Sequence, residues 1–498
     1  MPPASALPPR FLGLSPVNAA ILVIALTTAF RLFYCVWLPI LPDEAYYFQW
    51  SRHLDASYFS KGPAVAYTIA AGTLLFGDNN LGVRFFAVML SAGTAWQMFL
   101  LARRWYDETV ALLAVLITGV VPLYAVGAVV MTIDPLSAFF WLWAANLFSR
   151  AMQEDRLSGW LLTGFAVGSG FLAKYLNALE LVAFLAFLLF VPARRRLLLR
   201  PGFWIMLAVA VFCTTPVIWW NGQHGWASAS QLGHRGHLDG PFTLEFTTFL
   251  NFLGLQAVVI SPLLFLALLI TAGVVLFRRF SKKSTEQNEG ELLLFVLFLS
   301  VFLFYAVLAW HLKEEPNWPA VSYLTLIIIM AARWREILAT PARSGFIITA
   351  FMLAWLQTLL MHDSSFLPLP QKMDPMGRTV GWSQIATRLD EVRQEQHADV
   401  LIADAYKEAS VFSFHLPDHA FIYTVRNSPP ANQYDFWPGY LSVPHERALW
   451  ITLTGETSTQ VLAKDFNTIT PIEYVVVSFR GKPFRKYTIY LCENRPQP

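Results

Sequence analysis

A series of apolar runs, most of them near 20 residues long, fills roughly the first 360 residues of this chain. Runs of this length can cross a bilayer as helices, because an α-helix satisfies its backbone hydrogen bonds internally. Of the 498 residues, 56% are apolar and 14% are charged, whereas a soluble protein has roughly 25% charged residues. The sequence therefore predicts an all-α, polytopic membrane domain.

The apolar runs predict about eleven spans, and the loops between them predict their orientation. One set of loops holds 16 Lys and Arg residues and the opposite set holds five. Because basic residues favour the cytoplasmic side, we expect a cytoplasmic N-terminus and, with an odd number of spans, a C-terminal region on the outer face. The expected spans are 17–39, 84–102, 109–129, 135–149, 158–173, 177–193, 202–220, 247–277, 291–310, 318–332 and 344–361.

The end of the chain has a different composition. Residues 361–498 hold 28 of the 69 charged side chains, and their apolar patterns alternate between helix and strand. We therefore predict a membrane domain over 1–361 and a small α/β soluble domain over 362–498. The expected elements are helices at Trp382–Gln396 and Tyr406–Phe414, with strands at Val400–Ala403, Ala420–Val425, Ala448–Leu453, Tyr474–Phe479 and Lys486–Cys492.

Several function classes are excluded by charge and composition. The net charge of +3 is too small for a protein that binds nucleic acid through its phosphates. Two of the three cysteines lie in apolar runs, which argues against a disulfide framework and a cysteine metal site. The spacing of His224, His234 and His237 matches no metal signature. The sequence predicts no specific cofactor, although its acidic residues are compatible with a divalent metal ion.

The expected outer-face loops contain the residues that could carry chemistry. Acidic residues are found at Asp43-Glu44, after the first span, and at Asp134, in a short turn between two spans. An acid inside an apolar turn is costly unless it faces a cavity or a partner. The other candidates are three lysines and a polar or aromatic group: Lys61, Lys174, Lys313, Tyr46, Tyr47, Tyr58, Asn221, His224, Asn317 and Trp318.

Together these residue types suit group transfer from a lipid phosphate at the membrane surface. Cations at the interface can bind a phosphate, a carboxylate can deprotonate an acceptor, and aromatic faces can pack on sugar rings. Each residue also has a plainer interpretation. Acids beside a span are often solvated, and Lys61 or Lys313 could extend along apolar surface towards the lipid headgroups.

Several short motifs resemble those of the GT-C integral-membrane glycosyltransferases, in the protein mannosyltransferase-like branch. This branch includes the aminoarabinose transferases of lipid A and the lipopolysaccharide galacturonosyltransferases. The resemblance covers most of the chain and rests on the order of its motifs. They are Asp43-Glu44-x-x-Tyr47, Tyr58-Phe59-x-Lys61-x-Pro63, Asp134, Gly170-x-x-x-Lys174-Tyr175, Trp220-Asn221-x-x-His224-x-Trp226, Glu315-Pro316-Asn317-Trp318-Pro319 and Asn432-Gln433-Tyr434-Asp435-Phe436-Trp437.

The resemblance implies an inverting transfer from a polyprenyl-phosphate-linked sugar to a lipid or glycan acceptor, on the outer face of a bacterial inner membrane. Asp43 matches the catalytic acid of the first loop, Asp134 the second acidic position, and Lys61 the lysine that contacts the lipid phosphate. The chain has Ala45-Tyr46-Tyr47 where the aminoarabinose transferases carry an arginine. This difference favours the galacturonosyltransferase-like group.

Two other classes of protein remain as alternatives. A transporter or flippase for lipid-linked sugars tends to show internal repeats and charges deep in several helices. The two halves of this chain do not match, and its candidate acids belong to one face. A membrane scaffold that only displays the C-terminal domain would leave Asp43, Lys61 and Asp134 unexplained.

Overall fold

The computed structural model describes residues 13–235, 244–279, 286–313, 315–338, 344–365, 367–455 and 459–493. These residues form two compact units. The first unit contains Met1–Val36, Lys61–Val65 and Arg84–His362. The second contains Trp37–Ser60, Ala66–Val83 and Asp363–Pro498, so it includes much of the first loop as well as the C-terminal region.

Helices occupy the described residues up to His362, as the apolar runs predict. The helices are α1 (Pro16–Trp37), α2 (Pro42–Arg52), α3 (Ala64–Phe76), α4 (Asn80–Trp105), α5 (Glu108–Val120), α6 (Pro122–Gly127), α7 (Ile133–Glu154), α8 (Leu157–Ala173), α9 (Leu179–Phe190), α10 (Pro201–Cys213), α11 (Thr215–Gln223), α12 (Ala227–Arg235), α13 (Phe246–Ile260), α14 (Pro262–Arg279), α15 (Glu286–Leu308), α16 (Ala320–Leu338) and α17 (Gly345–His362).

Five helical segments among the described residues are long and apolar enough to cross a membrane. A sixth is added if α13 and α14 count as one bent span. Other apolar helices, such as α5, α8 and α9, are shorter, so the expected count of eleven spans stays a prediction. The five segments are Pro16–Trp37, Asn80–Trp105, Pro201–Gln223, Glu289–Leu308 and Gly345–His362.

Proline divides two of the runs that the sequence predicts as single spans. The run 109–129 breaks before Pro122, where α6 starts. The run 247–277 breaks before Pro262, and the two helices differ in direction by 113°. Ser261 adopts a positive φ of 88° at this break. Proline has no N–H to continue the helical ladder, and it disfavours helical geometry in the residue before it.

Small residues let α8 pack closely on its neighbours in the first unit. A Cβ atom at Gly164 would lie 2.3 Å from the carbonyl oxygen of Met206 in α10. At Gly168 a Cβ would lie 2.4 Å from the Cβ of Cys213. Only a glycine fits at such distances, so the two helices approach almost backbone to backbone. This packing fixes α8, whose C-terminal end carries Lys174.

The C-terminal region is an α/β fold in the second unit, as predicted. Its sheet has the order β2-β1-β3-β5-β4. Strand β1 pairs in parallel with β2 and β3, and the β3–β5–β4 part is antiparallel. The elements are α18 (Trp382–Gln396), β1 (Val400–Ala403), α19 (Tyr406–His415), β2 (Tyr423–Thr424), β3 (Arg447–Leu453), β4 (Thr468–Phe479) and β5 (Lys482–Glu493).

The last two strands are longer than the sequence predicts. Strands β4 and β5 form a hairpin of 12 residues each, joined by Arg480 and Gly481. Both turn residues have positive φ, of 50° and 74°. Such a two-residue turn matches the twist of the strands it connects. The strand expected at Ala420–Val425 shrinks to the two residues of β2.

Candidate active site

Asp134 lies in the first turn of α7, at a helix start that the sequence marks with a threonine. The Thr132 side chain accepts a 3.3 Å hydrogen bond from the backbone N–H of Asp134 and caps the helix. A carboxylate in the first turn is favoured by the partial positive charge of the helix N-terminus. The short Met131–Pro135 turn therefore holds a negative charge at a defined position.

Lys174 pairs directly with Asp134. Its Nζ lies 2.9 Å from Asp134 Oδ1 and donates a second bond, of 3.3 Å, to the Trp318 carbonyl oxygen. The Lys174 side chain is 9% exposed and that of Asp134 is 24% exposed. The ion pair is therefore largely shielded from water, and breaking it would leave a poorly solvated charge.

Asn317 occupies the other oxygen of the same carboxylate. Its amide donates a 2.6 Å hydrogen bond to Asp134 Oδ2. Three motifs that are far apart in the sequence, around Asp134, Lys174 and Asn317, thus meet at one carboxylate. We call these three residues the Asp134 centre. Both oxygens are engaged, so the carboxylate has a fixed orientation.

The backbone around Lys174 is held by a second set of polar contacts. Asn177 accepts a 2.6 Å hydrogen bond from Ser137 Oγ and donates one of 3.1 Å to the Ser137 carbonyl. A Cβ at Gly170 would lie 2.5 Å from the Asn177 amide nitrogen, so this position requires glycine. These contacts fix the break between α8 and α9 against α7, and with it the ion pair.

Lys61 belongs to a segment that runs beside this break. A Cβ at Gly62 would lie 2.1 Å from the carbonyl oxygen of Leu172, which means that the chain passes tightly against the end of α8. Leu172 precedes Lys174 by two residues. The first unit therefore brings the Lys61 backbone next to the segment that carries Lys174. Lys61 itself is half-buried.

The two neighbouring acids of the first loop have different environments in the second unit. Asp43 is 62% exposed, with Lys407 Nζ at 3.9 Å from its Oδ1. Glu44 is fully buried, and its Oε2 accepts a 3.1 Å hydrogen bond from the backbone N–H of Leu41. Glu44 therefore caps α2. Asp43 is the more accessible carboxylate of the two.

Helix α2, which carries Asp43, is anchored by the C-terminal region of the same unit. The Gln433 backbone N–H donates a 2.7 Å hydrogen bond to the Tyr46 hydroxyl, and Gln433 Oε1 accepts one of 2.7 Å from Phe59 N–H. Gln49 donates a further buried bond, of 2.9 Å, to Ser413 Oγ in α19. Lys407, Ser413 and Gln433 were not predicted as site residues. The family-like motif at 432–437 was the one sequence signal near them.

The first-loop tyrosines are built into an aromatic core around Trp50. Tyr58 stacks on Trp50 at 4.3 Å, and Tyr46 and Tyr47 each approach the same ring edge-on at 5.0 Å. Tyr58 donates to the Trp50 carbonyl oxygen. Burial raises the pKa of Tyr46 and of Tyr58 above the usual range of a phenol. Both therefore stay neutral and contribute packing to the loop.

The other candidates lie in the first unit. The Asn221 amide is used locally, because it donates to the Val217 carbonyl and accepts from the Ser228 N–H. His224 stacks on Trp220 at 4.0 Å. Lys313 is exposed. Trp318 contributes its carbonyl oxygen to Lys174, as described above. No group of three or more His, Cys, Asp or Glu within the described ranges could hold a metal ion.

Known proteins share both sequence and fold with this chain. The family described as dolichyl-phosphate-mannose-protein mannosyltransferase matches residues 60–220. The lipid A galacturonosyltransferase RgtD of Rhizobium johnstonii is 26% identical over 367 residues, which cover 73% of this chain and 74% of that protein. The crystal structure of ArnT from Cupriavidus metallidurans aligns over 96% of this chain and 98% of its own, with a TM-score of 0.63 and 15% identity. The chain has the GT-C fold of ArnT.

Other relatives match over a shorter region of this chain. The undecaprenyl phosphate-α-4-amino-4-deoxy-L-arabinose arabinosyl transferase of Pseudomonas aeruginosa is 34% identical over 212 residues. The matched part is 38% of each chain. The several apolar helices and these bacterial relatives indicate a multi-pass protein of the bacterial inner membrane.

Proposed function

We propose that this protein is an inverting glycosyltransferase that moves a sugar from a polyprenyl-phosphate donor to an acceptor of the cell envelope. The acceptor would be lipid A, the lipopolysaccharide core or another glycan, on the outer face of the inner membrane. The names of two relatives support this, since one is a lipid A galacturonosyltransferase and the other uses an undecaprenyl-phosphate sugar. An ArnT structure of similar fold was solved with undecaprenyl phosphate bound.

The observation that carries the proposal is the approach of Gly62 to Leu172. It puts the backbone of Lys61 beside the end of α8, where Lys174 pairs with Asp134. The sequence resemblance matches Lys61 to the lysine that contacts the lipid phosphate, whereas Lys174 pairs with a carboxylate. We infer that Lys61 binds the donor phosphate and that Lys174 mainly orients Asp134.

The proposed reaction forms one bond and breaks one bond at the anomeric carbon. The acceptor oxygen attacks the anomeric carbon while the bond between this carbon and the donor phosphate oxygen breaks. The configuration at the carbon is therefore inverted. The electron pair leaves with the polyprenyl phosphate, whose charge Lys61 stabilises. Asp43 takes the proton of an acceptor hydroxyl. A phosphate acceptor is already ionised at neutral pH and needs no base. Asp43 would then only orient the reacting groups.

The proposal is tested with purified protein, a polyprenyl-phosphate sugar and lipid A. Donors that carry galacturonic acid or 4-amino-4-deoxy-arabinose are compared, and products are detected by mass spectrometry. We expect lipid A to gain the mass of one sugar while free polyprenyl phosphate accumulates. A flippase would instead move intact donor across a vesicle membrane without breaking its glycosidic bond. That result would favour the transporter interpretation.

The orientation of the chain is part of the same proposal. We infer that its N-terminus is cytoplasmic and that residues 362–498 form a periplasmic domain, from the excess of basic residues in one set of loops. A reporter that is active only in the cytoplasm, fused after Pro498, should give little signal. A strong signal would place Asp43 and Lys61 on the wrong side for an envelope acceptor.

A further inference from the structure

A cleft of about 530 Å³ opens between α4 and α7 in the first unit. Its charged lining residues are all arginines: Arg103 and Arg104 at the end of α4, and Arg150 near the end of α7. Basic side chains at a helix end are common in membrane proteins. Three of them around a cleft between two helices form a more specific arrangement.

The inner part of the cleft is fixed by hydrogen bonds between the two helices. Asn146 is 8% exposed and donates to the Gln97 backbone carbonyl at 2.8 Å and to its side-chain oxygen at 3.0 Å. Trp105 Nε1 donates a 3.2 Å bond to Ser149 Oγ. These contacts join α4 to α7 beside the cleft and define the separation of the two helices there.

The arginines keep binding capacity for an anion. Arg104 donates to the neutral Gln153 side chain at 3.0 Å. Arg150 pairs with Glu154 at 2.7 Å, with 57% and 36% of these side chains exposed. Arg103 lies 3.8 Å from Glu108, and this pair is about as exposed. Exposed ion pairs contribute little free energy, so a phosphate with better geometry can compete for the guanidinium groups.

Apolar side chains continue the cleft beside the arginines. Leu100 of α4 and both Trp143 and Leu147 of α7 are half-buried lining residues. A ligand that fills the cleft must therefore present an anionic group next to a hydrocarbon part. Basic pockets between membrane helices have this character when they bind acidic lipid headgroups. We propose that the cleft binds one anionic phospholipid, with its phosphate on Arg104 and Arg150 and its acyl chain along Trp143.

Native mass spectrometry of the full-length protein in detergent tests this proposal. The probes are phosphatidylglycerol and the zwitterionic phosphatidylethanolamine. Both lipids carry a phosphate, but the ammonium group of phosphatidylethanolamine would be repelled by the arginines. We therefore expect one phosphatidylglycerol to stay bound, with at least about 10-fold preference over phosphatidylethanolamine. The combined Arg104→Gln and Arg150→Gln variant should lose this preference. Equal retention of both lipids by the unmodified protein would overturn the proposal.

A matched control removes the same charge elsewhere. Arg195 and Arg196 are exposed and lie outside the lining of the cleft. The combined Arg195→Gln and Arg196→Gln variant should retain phosphatidylglycerol as the unmodified protein does. Equal loss in both variants would mean that general surface charge binds the lipid, and displacement by millimolar inorganic phosphate would mean a simple anion site. Either result contradicts the lipid assignment.

A second measurement applies if the cleft variant does not fold. A photoactivatable phosphatidylglycerol is crosslinked to the unmodified protein, and the labelled peptides are identified. We expect labelling in the segments 97–104 and 143–153, which line the cleft. Labelling confined to other helices would overturn the proposal.

Discussion

The backbone N–H of Gln433 donates a 2.7 Å hydrogen bond to the hydroxyl of Tyr46, although 387 residues separate them in the chain. Tyr46 is 6% exposed and Gln433 is 1% exposed. The bond joins α2, which carries Asp43, to the C-terminal segment of the second unit. The C-terminal region thus supports the helix on which the proposed catalytic acid lies.

Replacing Tyr46 by phenylalanine tests this support. Tyr46→Phe keeps the ring but leaves the Gln433 N–H without this acceptor in a buried site. We expect the free energy of unfolding of the second unit to fall by about 1–3 kcal/mol, measured by denaturation in detergent. Tyr474 is 66% exposed, so Tyr474→Phe is the matched control and should change little. Unchanged stability of Tyr46→Phe would contradict the anchoring role.

A double-mutant cycle tests the ion pair of the Asp134 centre. Lys174→Met leaves the Asp134 carboxylate without its charge partner, which should destabilise the first unit by roughly 2–4 kcal/mol. Adding Asp134→Asn removes that unpaired charge, so the double variant should recover part of the loss, with a coupling of about 1–3 kcal/mol. Thermal unfolding of the unmodified protein, the Lys174→Met and Asp134→Asn single variants and the double variant measures this coupling.

The exposed pair Arg52–Asp78 serves as a comparison for this cycle. Its side chains are 39% and 36% exposed, so its coupling should be at most about 1 kcal/mol. If the Asp134–Lys174 coupling were no larger than this, Lys174 would be free to bind a ligand. Its proposed positioning role would then be wrong.

Replacing Lys61 tests the proposed phosphate contact. A charge-assisted contact contributes on the order of 1.5–3 kcal/mol, so Lys61→Ala should raise the KM for the polyprenyl-phosphate donor by roughly 10- to 150-fold. The exposed Lys313 gives the comparison, since Lys313→Ala should leave this KM nearly unchanged. A rise for Lys313→Ala alone would transfer the role to that residue.

The second unit should lose stability in mild acid because of His415. Burial, together with the neighbouring His419, lowers the pKa of His415 to about 4, whereas an unfolded histidine titrates near 6.5. Between these values the unfolded chain binds more protons, so stability falls as the pH drops from about 6.5 to about 4. We expect a loss of up to about 2 kcal/mol at pH 5.

Hydrogen exchange in α19 measures this effect. After correction for intrinsic exchange rates, the protection of Tyr406–His415 should decrease between pH 7 and pH 5. The His415→Gln variant lacks this titration and should show a smaller decrease. An equal decrease in both proteins would assign the pH dependence to other groups.

Local patterns in the sequence predicted much of the fold. The helix at Trp382–Gln396 has the predicted bounds because its apolar spacing reflects one buried face. The strand at Val400–Ala403 has them because its four residues form a short apolar run that is buried throughout. The break before Pro262 was missed because the apolar residues on the two sides of this proline were taken as one continuous span. The hairpin of β4 and β5 was predicted too short because much of β4 is exposed and carries a weak apolar signal.

The sequence identified candidate residues of the site, but it did not predict most of the contacts between them. Asp134 was identified because an isolated acid in an apolar turn needs a partner. Its partners Lys174 and Asn317 are 40 and 183 residues away, a relation that no local pattern contains. Tyr58 was predicted to bind substrate because an aromatic residue in a loop can pack on a sugar. Its complete burial depends on Trp50 and the surrounding fold.

The proposed activation of the acceptor by Asp43 is tested by the transfer rate of a folded Asp43→Asn variant with a hydroxyl acceptor. Asparagine keeps the shape but removes the basicity, so we predict a 10²- to 10⁴-fold lower kcat. Glu44→Gln keeps an oxygen that can cap α2, and it should lose much less activity. Near-normal turnover by Asp43→Asn would contradict the general-base role. An equal loss in Glu44→Gln would make Glu44 an equal candidate for the base.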